Sequence, residues 1–212
     1  MKKIYAINAS PRKGWNTAQM LDRFLDGMHS RSAEIEITRV DLYDLDFKGC
    51  RGCLSCRLKT AEKGFCAYPD GAADLLREIK RSDGFVFAAP IYYGSVPSQM
   101  RGLMERLFYP GIAEKEIPVR ILYTLNQPEE NMEKFFRRHL NDIKSQFGRT
   151  FRTNPEEVFA FETLHWDHPE RYEMPMEFYE ARAARKAEKF PQELENAFES
   201  GVRFAGYVLG EK

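Results

Sequence analysis

The sequence predicts an α/β protein in which a parallel sheet carries helices on both faces. Short apolar runs alternate with amphipathic segments of helical period, which is the pattern of parallel strands joined by helices. Residues 84–91 are apolar at nearly every position, as expected for a strand covered on both faces. No internal repeat, low-complexity tract or linker divides the 212 residues, so we predict a single domain over 1–212.

The first half of the pattern begins with a strand predicted over residues 3–9. Asn16 should open the helix that follows, because Gln19 stands at capping-box spacing from it. The apolar residues of this helix, which should face a core, are Leu21, Phe24, Leu25 and Met28. Residues 34–41 alternate in polarity, which predicts a strand near the sheet edge.

The rest of the chain repeats this alternation. Asp70 is the predicted N-cap of a helix that continues to about Arg81, and Pro97 should lie in the first turn of the next helix. The buried face of that helix is expected to contain Met100, Leu103, Met104 and Leu107. Further elements are predicted as strands at 118–125 and 157–164, a helix over about 129–147, and a charged helical stretch at 176–208 with a break at Phe190–Pro191.

The charge balance excludes several classes of partner. Lysine plus arginine total 32 and aspartate plus glutamate total 32, so the formal net charge is zero. Nothing in this balance favours nucleic acid or an anionic membrane. No apolar run approaches the roughly 20 residues that span a bilayer, and the N-terminus does not read as a signal peptide. We therefore expect a cytoplasmic protein whose cysteines are reduced or metal-bound.

The loop after the first strand, residues 10–17, is a candidate phosphate site. Ligands of open parallel sheets bind at the carboxyl ends of the strands, where a helix N-terminus offers free N–H groups and a positive dipole end. Ser10, Asn16 and Thr17 add donors and Arg12 adds a positive charge. A capped helix after a solvated turn would look similar. The loop contains neither a dinucleotide G-x-G-x-x-G sequence nor a P-loop, so a phosphate here would suggest a mononucleotide.

The loop after the third predicted strand, Pro90–Ser95, is the second candidate for the same site. Two tyrosines beside Gly94 would let a flat ring lie against backbone and side chains. The alternative is that one or both tyrosines pack against the helix that follows.

Three blocks in the first half of the chain carry a family resemblance through their order and spacing: Ala9–Thr17, the run Cys50–Cys56 followed by Cys66 and Asp70, and Ala89–Met100. The chain resembles the flavodoxin-like NAD(P)H-dependent FMN oxidoreductases, and most closely the branch related to iron–sulfur flavoproteins. This resemblance implies a three-layer flavodoxin-like sandwich with a five-stranded parallel sheet of order 2-1-3-4-5. Ala9 replaces a usual glycine, and Trp15 stands where a small residue is common.

The resemblance also implies roles for individual residues. The residues implied to hold the FMN phosphate are Ser10, Arg12, Asn16 and Thr17. Those implied to border the isoalloxazine ring are Pro90, Ile91, Tyr92, Tyr93 and Gly94, with Leu125 and Asn126 near its edge.

Four cysteines lie within 17 residues, in a predicted loop inserted at 48–69: Cys50, Cys53, Cys56 and Cys66. A 4Fe–4S cluster needs four thiolates, and a C-x-x-C-x-x-C run commonly supplies three of them. The gap to Cys66 is longer than is usual in the iron–sulfur flavoproteins. A structural zinc site and a packed loop without metal are the alternatives. The histidines at 165 and 168 are expected to be surface residues, or contacts to a substrate or a neighbouring subunit, rather than metal ligands.

The sequence therefore predicts an FMN-dependent oxidoreductase that acts as a homodimer or homotetramer. Electrons from NADPH, NADH or a protein donor would reach a quinone, nitro compound, metal ion or electron carrier, with or without a cluster on the way. The flavin would carry the chemistry, so no catalytic side chain is predicted. Two other readings are an electron relay without its own turnover of NAD(P)H, and a zinc-stabilised binding protein of the same fold without flavin.

Overall fold

Five parallel strands form the sheet of the molecule, which a computed structural model describes over residues 1–211. The strands are β1 Lys2–Asn8, β2 Ile35–Asp41, β3 Gly84–Pro90, β4 Val119–Thr124 and β5 Glu156–Ala160. Their order across the sheet is β2-β1-β3-β4-β5, which confirms the flavodoxin-like prediction. Lys212, the last residue of the predicted domain, lies outside the described residues.

Helices cover both faces of this sheet. They are α1 Asn16–Arg31, α2 Ala73–Arg81, α3 Ser98–Phe108, the short α4 Glu129–Asn131, α5 Arg137–Phe151 and α6 Met176–Leu209. A π-helical turn, Met132–Phe136, joins α4 to α5. None of the helices described over residues 1–211 is both long and apolar enough to cross a membrane.

The central strand β3 shows why the chain forms three layers. Successive side chains of a strand point to opposite faces, so an all-apolar strand must be covered twice. Phe85 and Phe87 enter the core beneath α2, α3 and α5, whereas Val86 and Ala88 enter the core beneath α1 and α6. β2 and β5 are the sheet edges, in agreement with the alternating pattern of residues 34–41.

Two glycines let α1 and α6 approach closely. A Cβ at Gly27 would overlap the Phe198 carbonyl, and one at Gly201 would overlap the Phe24 carbonyl. This contact holds the C-terminal half of α6 against α1 and fixes the start of the helix near the loops that follow the strands.

The predicted side-chain caps of α1 and α2 are wrong. Asn16 begins α1, but Trp15 is the N-cap and no side-chain cap bond forms there. Asp70 lies before Ala72, the N-cap of α2, and binds Arg106 as well as the Ala72 N–H. Both side chains make long-range contacts that the local sequence does not show.

Two predictions for the last third of the chain also differ from the structure. α6 runs through Pro191 as one helix of 34 residues. Arg185 and Glu193 form an ion pair at 2.6 Å across the proline, which holds the two sides together. β5 ends at Ala160 rather than 164, because Glu162 takes a positive φ of 50° and the Thr163 N–H donates to the Leu125 carbonyl. The segment after β5 is thereby turned towards the end of β4.

Candidate functional site

A cleft lies where β1, β3, β4 and β5 end at the same edge of the sheet. Seven of the residues predicted for the cofactor line it: Ser10, Arg12, Asn16, Thr17, Pro90, Ile91 and Tyr92. Four further residues complete the lining: Trp15, Thr124, Thr163 and His165. The two loops singled out in the sequence therefore meet at one site.

Four other predicted residues do not line this cleft, and one of them, Leu125, is buried in the core. Tyr93 and Gly94 have positive φ angles of 49° and 83° and form a tight turn closed by backbone bonds between Tyr92 and Ser95. The Tyr93 side chain is fully exposed. Asn126 accepts a hydrogen bond from Arg182 at 2.7 Å, which ties it to α6 instead.

The loop between β1 and α1 is held by its own polar groups. The Ser10 N–H donates to the Asn8 side chain at 3.1 Å, and the Arg12 N–H donates to the Ser10 hydroxyl at 3.2 Å. Because α1 has no side-chain cap, the N–H groups of its first turn and its positive dipole end are available to an anion. Ser10, Asn16 and Thr17 are almost fully buried at this point.

The segment after β5 contributes backbone carbonyls to this loop. The Leu164 carbonyl accepts from the Asn16 amide at 2.7 Å and from the Trp15 indole at 3.0 Å. The His165 carbonyl accepts from the Arg12 guanidinium. The Asn16 amide oxygen is buried and has no hydrogen-bond partner within residues 1–211. A buried acceptor of this kind requires a donor, and the structure leaves that place to a ligand or water.

Positive charge prevails at this end of the cleft. His165 is open to solvent on one side, but partial desolvation and the nearby Arg12 and Arg182 lower the pKa of its imidazole. Desolvation also lowers the pKa of Lys186, whose ammonium lies 4.6 Å from the centroid of the Trp15 ring. Burial raises the pKa of Tyr92, which keeps its hydroxyl protonated.

Sequence reasoning missed Thr124 and Thr163 as parts of the cleft, and it named His165 only as a surface residue or a contact to a substrate or a neighbouring subunit. Thr124 is the last residue of β4, and its hydroxyl lies 2.7 Å from that of Thr17. Thr124 could have been predicted from the sequence, because ligands bind at the carboxyl ends of parallel strands and β4 is one of these strands. The sequence pattern gave less indication of Thr163 and His165, since their position depends on the residue at which β5 ends.

All four cysteines line a second pocket, beside the C-terminal half of α3. Arg106 organises its inner wall. This guanidinium is buried, pairs with Asp70 at 2.7 Å and donates to the Lys48 and Tyr68 carbonyls. It also donates to the Cys66 sulfur at 3.4 Å.

The thiols in this pocket do not form an assembled ligand set. Within residues 1–211, no group of three or more histidine, cysteine, aspartate or glutamate side chains is arranged to hold a metal ion. Cys50 and Cys53 are exposed, whereas Cys56 and Cys66 are half-buried. Hydrogen bonds from Ser55 lower the pKa of the Cys53 thiol, and desolvation raises that of Cys56. In this arrangement the residues do not fit a resident 4Fe–4S cluster.

Known proteins resemble this chain both in fold and in sequence. An azoreductase from Bacillus anthracis superposes with a TM-score of 0.69 at 16% identity, over 96% of this chain and 100% of its own. An NAD(P)H:quinone oxidoreductase from Methanothermobacter marburgensis gives 0.67 at 14% identity, over 96% of each chain. At these identities the structures show a shared fold.

Sequence relatives are more specific. An iron–sulfur flavoprotein of Methanocaldococcus jannaschii is 31% identical over 104 residues, 49% of this chain and 51% of the relative. One from Methanosarcina thermophila is 30% identical over 104 residues, with the same coverage of both chains. The match thus spans about half the length of these curated relatives.

The family model described as NADPH-dependent FMN reductase matches residues 2–122, which include both loops of the cleft and all four cysteines. Because this match covers more than half of the chain and agrees with the fold, the chain belongs to the NADPH-dependent FMN reductase family.

Proposed function

We propose that the cleft binds FMN and that the chain is an oxidoreductase that moves electrons from a nicotinamide or protein donor, through this flavin, to a second substrate. The observation that carries the proposal is the uncapped start of α1, which opens into a cleft lined by buried hydroxyl groups and a guanidinium. Such a site matches a phosphate group. The family match makes FMN the phosphate-bearing cofactor to test.

The described residues fit the phosphate end of FMN. Ser10 and Thr17 can donate hydroxyl bonds, the first turn of α1 can donate backbone N–H groups, and Arg12 supplies a charge. Within residues 1–211, only one of the two Arg12 terminal nitrogens is bonded to the protein, so the guanidinium retains free donors.

The other end of the cleft fits a flat aromatic ring. Pro90 and Ile91 supply apolar surface, and Tyr92 supplies an aromatic side chain that is 44% exposed. When bound, FMN accepts a hydride and can release electrons singly, which is chemistry that no side chain here supplies. The chain's own part is to hold the phosphate, position the ring and leave one ring face open. Tyr93, Gly94 and Asn126 remain proposed contacts that would require a shift of their loops or a neighbouring subunit.

The electron acceptors that we propose are taken from the names of proteins with a similar structure. The names of two structural neighbours indicate reduction of quinones and of azo compounds. Both substrates are flat and could stack on an exposed flavin face, one after the other with the nicotinamide. A quinone and an azo dye are therefore the first acceptors to assay, with nitro compounds and metal ions next.

We do not route electrons through a cluster in this proposal. The relatives are named iron–sulfur flavoproteins, and the four cysteines line one pocket, but these thiols form no ligand set in residues 1–211. Iron, acid-labile sulfide and zinc per chain, measured on protein purified without oxygen, would decide the point. About four irons and four sulfides would mean that the loop rearranges around a cluster, whereas zinc alone would support a structural site.

The decisive experiment is anaerobic reduction of the FMN-loaded chain. We expect NADPH or NADH to bleach the flavin absorption rapidly, and a quinone to restore it. A flavin that stays oxidised with both nicotinamides would favour the electron relay instead. A chain that does not bind added FMN would contradict the proposal.

Three further features are part of the same proposal. The chain would be one domain with the cysteine loop 48–69 as an insertion, it would act in the cytoplasm, and it would assemble as a homodimer or homotetramer. The fully exposed Tyr93, which follows Tyr92 of the cleft lining, supports an assembly in which a neighbouring subunit completes the site.

A further inference from the structure

His165 reaches the cleft because the phosphate loop holds the backbone around it. Its own carbonyl accepts from Arg12, and the carbonyl before it, that of Leu164, accepts from both Trp15 and Asn16. His165 lines the cleft together with Ser10 and Arg12. The residue is thus attached to the phosphate end of the cleft and not to the loop that carries Tyr92.

Within residues 1–211, no carboxylate pairs with Arg12, the cation bonded to the His165 backbone. Arg12 from the phosphate loop and Arg182 from α6 both act on the imidazole, and the Trp166 ring lies against it at 5.6 Å between centroids. The neighbouring carboxylates have other partners. Glu162 binds Arg182 and Arg185, and Asp167 accepts hydrogen bonds from the Tyr172 hydroxyl and the His168 N–H.

We propose that His165 is a further phosphate-binding residue of this cleft, which recognises the phosphate monoester of the cofactor and not its ring. The inference rests on the proposed FMN function. A phosphate monoester carries a charge of about −1.5 to −2 at pH 7, so it supplies the negative charge that Arg12 lacks and with which a protonated His165 would pair. A neutral aromatic ring placed there would leave that positive charge unbalanced.

Binding of the phosphate should bring a proton to the imidazole. In the free chain partial desolvation, together with the two arginines, holds the pKa of His165 below its usual value, which favours the neutral ring near pH 7. A bound dianion acts in the opposite direction and favours the charged ring. FMN binding is therefore coupled to proton uptake, and the affinity for FMN falls as pH rises through the pKa of His165 in the complex.

Riboflavin separates the two ends of the cleft because it has the ring of FMN without the phosphate. We would measure the affinity of the full-length apoprotein for both flavins at pH 6.5, by quenching of flavin fluorescence. For His165→Gln we expect a roughly three- to tenfold loss of FMN affinity, as for a lost hydrogen bond to a charged group at a partly exposed site. Riboflavin affinity should change less than about twofold.

His168→Gln is the matched control. This histidine lies three residues further along the same segment, is exposed and has Glu170 as its neighbour at 3.3 Å. The control should leave both affinities within about twofold of wild type. An equal loss for FMN and riboflavin in His165→Gln would place His165 at the ring, and no loss for FMN would remove it from the site; either result overturns the inference.

Calorimetry provides a test that needs no variant. At pH 7.5, titrations in two buffers of different ionisation enthalpy report the protons taken up with each flavin. We expect net uptake with FMN and none with riboflavin. The phosphate itself is almost fully ionised at this pH and can only release protons. Absence of uptake with FMN contradicts the inference while leaving the proposed function intact, whereas a wild-type chain that binds no FMN overturns both.

Discussion

The cleft and the cysteine pocket are both built from loops that follow strands, but only the cleft is assembled. In the cleft, the loops after β1 and β5 are tied to each other by three side-chain bonds to backbone carbonyls. In the pocket, two of the four thiols are exposed and Arg106 holds only the inner wall. A phosphate site uses backbone groups whose positions the fold already sets, whereas thiolate ligands on a loop often need the metal itself to order them.

Arg106→Gln should have the largest effect, because it removes a buried guanidinium that bonds to four residues in and beside the cysteine loop. Asp70 would keep a carboxylate without its partner, and the Lys48 and Tyr68 carbonyls would each lose a donor. We expect a loss of about 3–5 kcal/mol in the free energy of unfolding, measured with urea. Arg57→Gln, an exposed residue of the same loop, should cost well under about 1 kcal/mol.

The same variant tests whether the two regions are independent. The cleft and the cysteine pocket share no lining residue. The folded fraction of Arg106→Gln should therefore bind FMN within about twofold of wild type. A large drop in affinity would show that the cysteine loop supports the cleft after all.

Arg12→Ala should weaken FMN binding by roughly 10- to 100-fold, the usual value of a hydrogen bond to a charged group. Riboflavin should be affected far less, because it lacks the phosphate. Lys13→Ala is the control: this adjacent lysine pairs with Asp44 outside the cleft lining. If FMN affinity is unchanged in Arg12→Ala, the phosphate does not bind at this loop.

Lys80→Met should destabilise the edge of the cysteine loop by about 1–3 kcal/mol, because two carbonyls would lose their donor. The Lys80 ammonium donates to the Gly64 carbonyl at 2.5 Å and to the Gly111 carbonyl at 2.6 Å. Thermal and urea unfolding would measure the loss. Arg81→Met, one residue along, breaks an exposed ion pair with Glu62 of the loop and should cost under about 1 kcal/mol; an equal cost in both variants would argue against a specific role for Lys80.

Desolvation lowers the pKa of Lys80 to about 8, which predicts a pH dependence of stability. Between pH 8 and the ordinary lysine pKa of 10.5, Lys80 is protonated in the unfolded chain but has lost its proton in the folded chain. Stability rises with pH wherever the unfolded state binds more protons. The contribution of Lys80 to the free energy of unfolding should therefore increase with pH between those limits. Unfolding curves measured over the same pH range should lack this increase in Lys80→Met.

Cys53→Ser should have the smallest effect on the cleft, with FMN affinity within about twofold of wild type. The thiol is exposed and takes no part in the lining of the cleft. Any iron that the wild-type chain retains should be lost, as measured by metal analysis beside flavin content. Loss of FMN together with the thiol would contradict the separation of the two regions.

Periodicity and short motifs were sufficient to predict the elements of the sheet and the loops that surround the site. Strand β3 could be recognised because an all-apolar run fits only a strand covered on both faces. The errors concentrate where a long-range contact outweighs a local preference. Asn16 does not cap α1 because its amide binds Leu164, and Asp70 does not cap α2 because Arg106 holds its carboxylate.

The sequence by itself determined the order of the strands, through the family resemblance, and the chemistry of the first loop, because hydroxyls, an arginine and a helix start are local features. Only the tertiary structure shows which segment packs against that loop. The position of Leu164 and His165 depends on the end of β5 at Ala160 and the positive φ of Glu162, neither of which a local pattern records. It also decided that four clustered cysteines can share a pocket without forming a ligand set, since spacing along a loop does not fix the directions of the thiols.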